Sequence, residues 1–266
     1  MPNLANANLR FHTLEILAEG NTMIHSLHPL AKTITTFLYV VIVVSFGPYE
    51  LSGLLPFFFY PIILMALGDI PYKPLLARMA VALPFGLFAG TANLILVRET
   101  ALYFLTIPIS YGMISFFSII VKTLLTVMAV LILISTTPLP TLSRQLTALK
   151  IPSLFILLLS MIYRYIGVLV EEALAMYTAY TLRSPDQKGI KMKDMGIFIG
   201  QLLLKSVDRA ERIYQAMKCR GFTGSYEYIP LPKMKTGEIV YLLGLCAAFS
   251  LLRFFNLSLL LGNLLY

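Results

Sequence analysis

Charged side chains are scarce in this chain. Only 13% of its 266 residues are Asp, Glu, Lys or Arg, whereas 58% are hydrophobic, and the mean hydropathy is +0.80. An ordinary soluble domain is about 25% charged and less than half apolar. Several apolar runs approach the length that crosses a bilayer. The scarcity of charge therefore excludes an ordinary soluble domain and predicts a single polytopic, helical membrane domain.

Cysteine, histidine and nucleotide-binding motifs are also sparse. The two cysteines, Cys219 and Cys246, fall in a predicted cytoplasmic helix and a predicted span, which argues against a disulfide framework or a metal cluster. The three histidines, His12, His25 and His28, all precede the first span, and nothing fixes a metal geometry for them. There is no phosphate-binding P-loop motif. We expect no cofactor, and energy from nucleotide hydrolysis must come from another subunit.

The basic residues are concentrated in one segment. Between Pro138 and Lys235 lie 14 of the 21 Lys and Arg residues and 7 of the 13 Asp and Glu residues, so that this segment carries +7 of the formal net charge of +8. Segments rich in Lys and Arg stay on the cytoplasmic side. A basic cytoplasmic surface suits anionic lipid headgroups and an acidic partner equally well. Nucleic acid is a poor explanation, because the charge is not spread over a soluble surface.

The apolar runs predict an all-α polytopic membrane protein with about five transmembrane helices and long cytoplasmic amphipathic helices. The polar N-terminus predicts that there is no cleavable signal peptide. The N-terminus is predicted to lie on the cytoplasmic side. We expect crossings near residues 31–46, 51–67, 79–97, 110–135 and 238–255. The predicted organisation is a leader (1–27), four transmembrane helices (28–136), a cytoplasmic region (137–235) and a C-terminal transmembrane helix (236–266).

One predicted span contains a lysine. The run from Tyr103 to Ile134 is long enough for a re-entrant segment followed by a span, and Lys122 lies within it. A lone lysine inside a span is costly and calls for a partner or a path to the interface. We expect a structural or interfacial role for Lys122 rather than a role in transport.

Two long helices fill the cytoplasmic region. The first starts after Pro152, as a helix that begins inside or along the bilayer, and ends at Leu182-Arg183-Ser184. The second starts near Asp194, a good N-cap, and ends at Cys219-Arg220-Gly221, where glycine is the expected stop. Apolar residues recur along the second helix at spacings of three and four, which indicates one helical face.

Each of these helices ends in an arginine, and the residues alone leave two interpretations open. Local electrostatics favour a cation at a helix C-terminus without any further function. Arginine also presents five donors in a planar fork suited to a carboxylate. Ser184 and Gly221 would let another backbone approach closely. Arg183 and Arg220 are therefore candidates for docking into acidic pockets on a cytoplasmic partner.

The adjacent acids Glu171 and Glu172 lie within the first long helix. An intramembrane metal or protease site would need further ligands, and no histidine falls within an apolar run. We therefore expect one of these glutamates to pair with Arg164, seven residues earlier, or with a neighbouring helix.

Several segments resemble the transmembrane T component of energy-coupling factor (ECF) transporters. The similar segments are MIYRYIGVLVEEALAMYTAYTLRS (161–184), GQLLLKSVDRAERIYQAMKCRGF (200–222), HPLAK (28–32) and TTPLPTL (136–142). The Tyr-Arg-Tyr motif followed by paired glutamates, and the RAERIYQAM segment, are most similar to the cobalt/nickel branch. The resemblance covers residues 28 to about 255.

The resemblance implies a non-catalytic coupling subunit in the cell membrane. In that family, cytoplasmic helices ending in Ala-Arg-Gly dock onto two ATPase subunits, and a separate S component binds the substrate. Carried over, Arg220 and Gly221 match the second motif with Cys219 in place of alanine, and Leu182-Arg183-Ser184 keeps the arginine of the first. The residues that would support the two helices are Arg164, Glu171, Glu172, Arg209 and Glu211. Cobalt or nickel as the substrate rests on the resemblance alone.

A self-sufficient secondary carrier is the alternative function. Such a carrier needs a polar site near the bilayer midplane, built from broken spans. The candidates for it are Pro84, Gly90, Asn93 and Lys122. A membrane-embedded hydrolase is a third possibility, but the sequence offers no ligand set for one.

Overall fold

A computed structural model describes residues 18, 20, 22–96, 100–104, 107–149, 151–184, 189–224 and 232–254. Its helices, in chain order, are α1 (Met23–Ser26), α2 (Pro29–Ser45), α3 (Leu51–Leu54), α4 (Phe59–Leu67), α5 (Tyr72–Leu96), α6 (Tyr111–Thr136), α7 (Leu139–Gln145), α8 (Ser153–Arg183), α9 (Met192–Cys219) and α10 (Thr236–Phe254). Short 3-10 helices follow α3 (Leu55–Phe58) and α7 (Leu146–Leu149). A hairpin of β1 (Thr100–Phe104) and β2 (Ile107–Ser110) precedes α6.

The described residues divide into two compact units. One unit comprises those of Leu139–Pro232, and the other comprises those of Ile16–Pro138 together with Lys233–Tyr266. The first unit therefore contains α7, α8 and α9. The second contains the remaining helices and the hairpin.

The helices confirm an all-α, polytopic membrane protein. Four described helices, α5, α6, α8 and α10, are long and apolar enough to cross a membrane. The crossings predicted at 31–46 and 51–67 fall on shorter apolar helices, the second of which is interrupted by a 3-10 turn at Pro56. Helix α8 was expected in the cytoplasmic region, yet its 31 residues and apolar composition also suffice for a crossing.

The segment before the fourth span, for which a re-entrant entry was considered, forms a hairpin. Residues Thr100–Phe104 and Ile107–Ser110 pair as antiparallel strands, and α6 begins only at Tyr111. The segment Ile107-Pro108-Ile109 favours an extended backbone, since isoleucine is β-branched and proline lacks the N–H that a helix interior requires. Ser110 then starts α6 as its N-cap, with its side chain accepting from the N–H of Met113 (3.3 Å).

The core of the second unit is centred on α2, which packs against α6 and α10. An aromatic cluster joins these helices to the 3-10 turn: Tyr39, Phe57 and Phe249 have ring centroids 5.4–6.2 Å apart. The hydroxyl of Tyr39 donates to the carbonyl of Phe57 (2.9 Å). This bond satisfies a carbonyl at the irregular 3-10 turn, where helical partners are missing.

Two lysines cap helix C-termini inside this unit. The Nζ of Lys122 donates to the carbonyls of Phe46 (2.6 Å) and Gly47 (3.2 Å), just beyond α2. The Nζ of Lys32, which is buried, donates to the carbonyl of Thr136 (2.8 Å) at the end of α6. A cation is favoured there because the last carbonyls of a helix lack intrahelical partners. These contacts agree with the structural role expected for Lys122.

Candidate coupling helices and their arginine ends

Helices α8 and α9 contact each other as an antiparallel pair. The hydroxyl of Tyr180, near the end of α8, donates to a carboxylate oxygen of Asp194 (2.7 Å), near the start of α9. Two turns earlier in α8, Glu172 forms ion pairs with Lys205 and Arg209 of α9. Later residues of α9 thus meet earlier residues of α8, which defines the antiparallel arrangement.

Asp194 has a different role from the predicted one. Helix α9 begins at Met192 with Lys191 as its N-cap, so that Asp194 lies inside the first turn rather than before it. An acid in the first turn is favoured by the positive end of the helix dipole. Its carboxylate is in addition the acceptor for Tyr180. The residue therefore links the two helices instead of capping one of them.

Glu172 is the acid that pairs, and its partners come from the neighbouring helix. It contacts the Nζ of Lys205, and one of its carboxylate oxygens lies 3.6 Å from a guanidinium nitrogen of Arg209. Arg164, the other expected partner, instead lies with its guanidinium carbon 6.0 Å from the ring centroid of Tyr165. Glu171 is exposed. Ion pairs between such accessible groups add little to stability, so this contact sets the register of α8 and α9 more than it stabilises them.

Glu211, the last of the predicted support residues, is exposed on α9. With Asp208, Arg212 and Gln215 it lines a shallow surface depression. The described contacts place Glu211 against no other helix. Arg209, two residues earlier, is the member of the RAERIYQAM segment that faces α8.

The C-terminus of α9 is a fully formed Schellman motif. The N–H of Gly221 donates to the carbonyl of Lys218 (3.0 Å), and the N–H of Phe222 donates to the carbonyl of Met217 (3.1 Å). Gly221 has a φ of +84°, the left-handed conformation that this motif requires and that glycine adopts without strain. The predicted helix stop at Gly221 is thus confirmed. Arg220 is the C-cap residue and is exposed, as is Cys219, a free thiol.

Helix α8 ends at Arg183, which is exposed. Ser184 follows with φ −136° and ψ 70°, and its N–H donates to the carbonyl of Thr181 (3.3 Å). Within the described residues, Arg220 thus precedes a Schellman turn, whereas Arg183 is the last residue of its helix.

The antiparallel arrangement separates the two arginines. Arg183 lies at the connected ends of α8 and α9, whereas Arg220 lies at the far end of α9. Helix α9 has 28 residues, which corresponds to a length of about 42 Å at 1.5 Å per residue. The two exposed arginines are thus too far apart for a single acidic pocket and suit two separate docking points.

Substitution of Gly221 tests whether this turn holds Arg220 in place. We expect Gly221→Ala to destabilise the helix end by about 1 kcal/mol, because alanine is strained in the left-handed conformation. Amide hydrogen exchange at Phe222 should then be about fivefold faster. The matched control is Gly200→Ala in the interior of α9, where the added Cβ meets no atom within 4 Å and alanine favours the helix. Equal exchange at Phe222 in both variants would contradict the assignment.

Helix α9 also keeps an apolar stripe exposed. The face that turns towards α8 contains Phe198, Leu202 and Arg209, which are half-buried. The predicted apolar face, positions 195, 199, 203, 207, 210, 214 and 217, instead points away from α8: Leu203 is 62% exposed and Tyr214 is 53% exposed. An amphipathic helix with a free apolar face and basic residues beside it is suited to the bilayer interface.

The four residues considered for a carrier site take part in helix packing. Asn93 donates to the hydroxyl of Ser115 (2.8 Å), a Cβ added at Gly90 would lie 2.7 Å from the Phe116 ring, and Lys122 caps α2. Helix α5 continues through Pro84 without a break. A broken-span carrier site is therefore not formed by these four residues.

The histidines have local partners. The Nδ1 of His25 is hydrogen-bonded to the hydroxyl of Thr22 (2.6 Å), and the Nδ1 of His28 accepts from the N–H of Leu30 (3.2 Å). His12 lies outside the described residues. Among the residues that the structure describes, no group of three or more His, Cys, Asp or Glu side chains is arranged to hold a metal ion.

The sequence did not point to two residues that organise the second unit. One carboxylate oxygen of Glu238, in the first turn of α10, accepts from the N–H of His28 (3.0 Å), and the other accepts from the N–H of Lys235 (2.7 Å). Lys32 is the second such residue. A lysine or glutamate in a helix's first turn resembles an ordinary surface residue in sequence, and only the fold brings its distant partner into contact.

A comparison with known families identifies the chain more closely. The model of the cobalt transport protein (CbiQ) family matches residues 20–229, a range that includes both long helices and their arginine ends. The chain belongs to the cobalt transport protein family. Its membership, together with four apolar helices long enough to span a membrane, makes it a multi-pass protein of the cell membrane.

Curated relatives agree with this family. The chain is 25% identical over 231 residues to the energy-coupling factor transporter transmembrane protein EcfT of Ruminiclostridium cellulolyticum, a match that covers 82% of this chain and 86% of that protein. It is 35% identical over 91 residues to the nickel permease LarQ of Lactiplantibacillus plantarum, covering 34% of this chain and 33% of LarQ. This second match spans only about a third of LarQ's length. The resemblance to T components of the cobalt/nickel branch is confirmed.

Proposed function

We propose that this family member is the non-catalytic coupling subunit of an ECF-type importer. It links ATP hydrolysis by two cytoplasmic ATPase subunits to uptake through a substrate-binding S component, for cobalt or nickel ions. The observation that carries the proposal is the pair of exposed arginines at helix ends about 42 Å apart. Two separate ATPase subunits offer two separate docking points, whereas a single pocket would bind only one of the two arginines.

The α8–α9 pair is suited to passing a force from one end to the other. Its register is set by Glu172 and by the hydrogen bond from Tyr180 to Asp194. A continuous helix moves as a unit, so that a displacement of Arg220 is carried along α9 to the contacts with α8. Movement of the ATPases would thereby reach α8, whose apolar part is long enough to enter the membrane.

The relatives support the proposal and its substrate class. One is named an ECF transporter transmembrane protein, and another a nickel permease.

Reconstitution tests the proposed function directly. Liposomes containing this chain with its two ATPases and a small S component from the host are expected to take up radioactive Co²⁺ or Ni²⁺ only when ATP is supplied. Liposomes containing this chain alone, with an imposed ion gradient, are the comparison. Gradient-driven uptake by the chain alone would overturn the proposal in favour of a secondary carrier. Affinity purification from the host should recover the ATPases and the small membrane protein.

A further inference from the structure

A narrow apolar groove runs along the outside of the second unit. Its volume is about 430 Å³, and it is lined almost entirely by apolar and aromatic side chains of α1, α4, α10 and the 3-10 turn. Representative lining residues are Leu27, Ile63, Leu245 and Phe249. Ligand sites commonly fall between 300 and 1,000 Å³, so the groove has the volume of a binding site rather than of a packing defect.

The dimensions of the groove restrict its occupant. Along α10 it extends from Tyr241 to Leu252, a rise of about 16 Å at 1.5 Å per residue. Its lining residues on α10 follow one face of that helix, so the groove accommodates an extended acyl chain lying along α10.

The length of the groove also matches a lipid. The hydrocarbon core of a bilayer is about 30 Å thick, so that one leaflet contributes about 15 Å. A groove of about 16 Å accommodates the ordered part of an acyl chain from one leaflet. Burial of methylenes is favourable relative to water, but an acyl chain already lies in hydrocarbon. Selective binding therefore requires a polar contact at one end.

Arg253 supplies a cationic group at one end of the groove. It follows Leu252 directly and lies one helical turn beyond Phe249, both of which line the groove. Its guanidinium carbon is 4.3 Å from the ring centroid of Phe46, and that ring packs edge-on against Phe57 of the groove. Its side chain is 31% exposed. The cation is thus next to the groove and accessible from outside the unit.

The donors of Arg253 are only partly used. Its Nε and Nη2 donate to the hydroxyl and carbonyl of Ser45 (both 3.2 Å), and its Nη1 donates to Glu50 (3.3 Å). A guanidinium has five N–H groups. Three of them donate to the described residues, and two remain to bind a ligand. Lys122 caps the adjacent carbonyls of Phe46 and Gly47. This end of α2 therefore has two cations against one carboxylate.

We propose that this groove binds one phospholipid, with an acyl chain along α10 and its phosphate at Arg253. Arginine binds phosphate in a bidentate manner with charge-assisted hydrogen bonds. The exposed side chains of Phe59 and Ile63 offer an apolar surface to the chain. The lipid fills the gap between α4 and α10 and extends the packing of the aromatic cluster.

Native mass spectrometry of the purified full-length chain tests the site. The chain is titrated with phosphatidylglycerol, and with diacylglycerol of the same chains, which lacks the phosphate. We expect one high-affinity phosphatidylglycerol and about tenfold weaker binding of diacylglycerol, since charge-assisted hydrogen bonds are lost. Equal binding of the two lipids by the wild-type chain overturns the proposal, and this comparison needs no variant.

A pair of matched variants locates the site. Ala248 lines the groove, whereas the neighbouring Ala247 is exposed and does not. We expect Ala248→Phe to lower phosphatidylglycerol affinity about tenfold, because the added ring occupies the space of the acyl chain, and Ala247→Phe to bind as the wild type does. Equal affinities in the two variants overturn the proposal. So does an Ala248→Phe variant that keeps its lipid but loses a co-purifying membrane protein, because the groove would then be a protein-binding surface.

Discussion

The Arg183→Glu/Arg220→Glu variant is expected to insert into the membrane and to lose its ATPase partners. Both side chains are exposed, and the described residues provide neither of them with an ion pair. Reversal of their charge therefore leaves the fold of the chain intact. At each docking point it replaces attraction for a carboxylate by repulsion, a change that costs about 2 kcal/mol or more.

The separation of the two arginines makes the expected effect large. Contacts more than 10 Å apart usually contribute additively, and the arginines lie about 42 Å apart. Each reversal weakens binding roughly 30-fold, so that the double variant binds about a thousandfold more weakly. Arg220→Glu should have the greater effect of the two single variants, because the Schellman motif fixes the position of Arg220.

Co-purification from membranes measures the loss. The affinity-tagged chain is extracted in mild detergent, and the recovered ATPases are quantified against the chain. Arg212→Glu is the matched control, since Arg212 is exposed on the same helix but lies away from its end. We expect ATPase recovery to be unchanged in the control and nearly absent in the double variant. Recovery at the wild-type level in the double variant would rule out docking through these arginines.

The helix ends could be predicted because their signals are local. Gly221 stops α9 through its own backbone conformation, and Ser184 follows the last residue of α8 as expected. Such signals lie within a few residues of the feature that they determine. The docking role of Arg183 and Arg220 stays a prediction, because it depends on a partner and not on the chain's own geometry.

Contacts between helices could not be chosen from the sequence. Arg164 precedes Glu172 by eight residues in the same helix and was an expected partner. Glu172 instead pairs with Lys205 and Arg209 across the α8–α9 contact. Which partner is reached depends on how the two helices cross, and helical periodicity within one segment does not contain that information. The same reason applies to Lys32, whose acceptor at Thr136 lies 104 residues away.

The hairpin before α6 was missed for a different reason. Its strands are short and apolar, and short apolar runs do not distinguish a strand from the start of a buried helix by periodicity. Hydropathy alone therefore extends the predicted span over this run. The local signals of Pro108 and of the N-cap Ser110 were present in the sequence, but the prediction gave greater weight to hydropathy.

Enlargement of Gly90 is expected to disrupt the contact between α5 and α6, the most extensive helix contact in the second unit. Gly86 and Gly90 form a small-xxx-small pattern that allows two membrane helices to approach closely. A Cβ at Gly90 would lie 2.7 Å from the Phe116 ring, and one at Gly86 would lie 3.2 Å from the hydroxyl of Thr123. Gly90 is the tighter position, because an aromatic ring has less room to move than a threonine hydroxyl.

The expected result depends on the size of the new side chain. Overpacking costs about 1–3 kcal/mol, and each kcal/mol lowers the unfolding temperature of a chain of this size by roughly 2–4 °C. We therefore expect Gly90→Ala to lower it by about 5 °C in detergent and Gly90→Leu to prevent recovery of monodisperse protein. In the matched control, Gly244→Ala, the added Cβ meets no atom within 4 Å. A normal unfolding temperature for Gly90→Ala would contradict the packing assignment.

A second substitution separates packing from transport. If Gly90 acts through its contact with Phe116, then Phe116→Ala should recover part of the stability lost in Gly90→Ala, and the two changes should not be additive. A role of Gly90 in a carrier site predicts the opposite, since the double variant would stay inactive even when its stability returns. ATP-dependent uptake that recovers together with the unfolding temperature therefore assigns Gly90 to helix packing. The α5–α6 contact would then be a packing contact and not the binding site of a broken-span carrier.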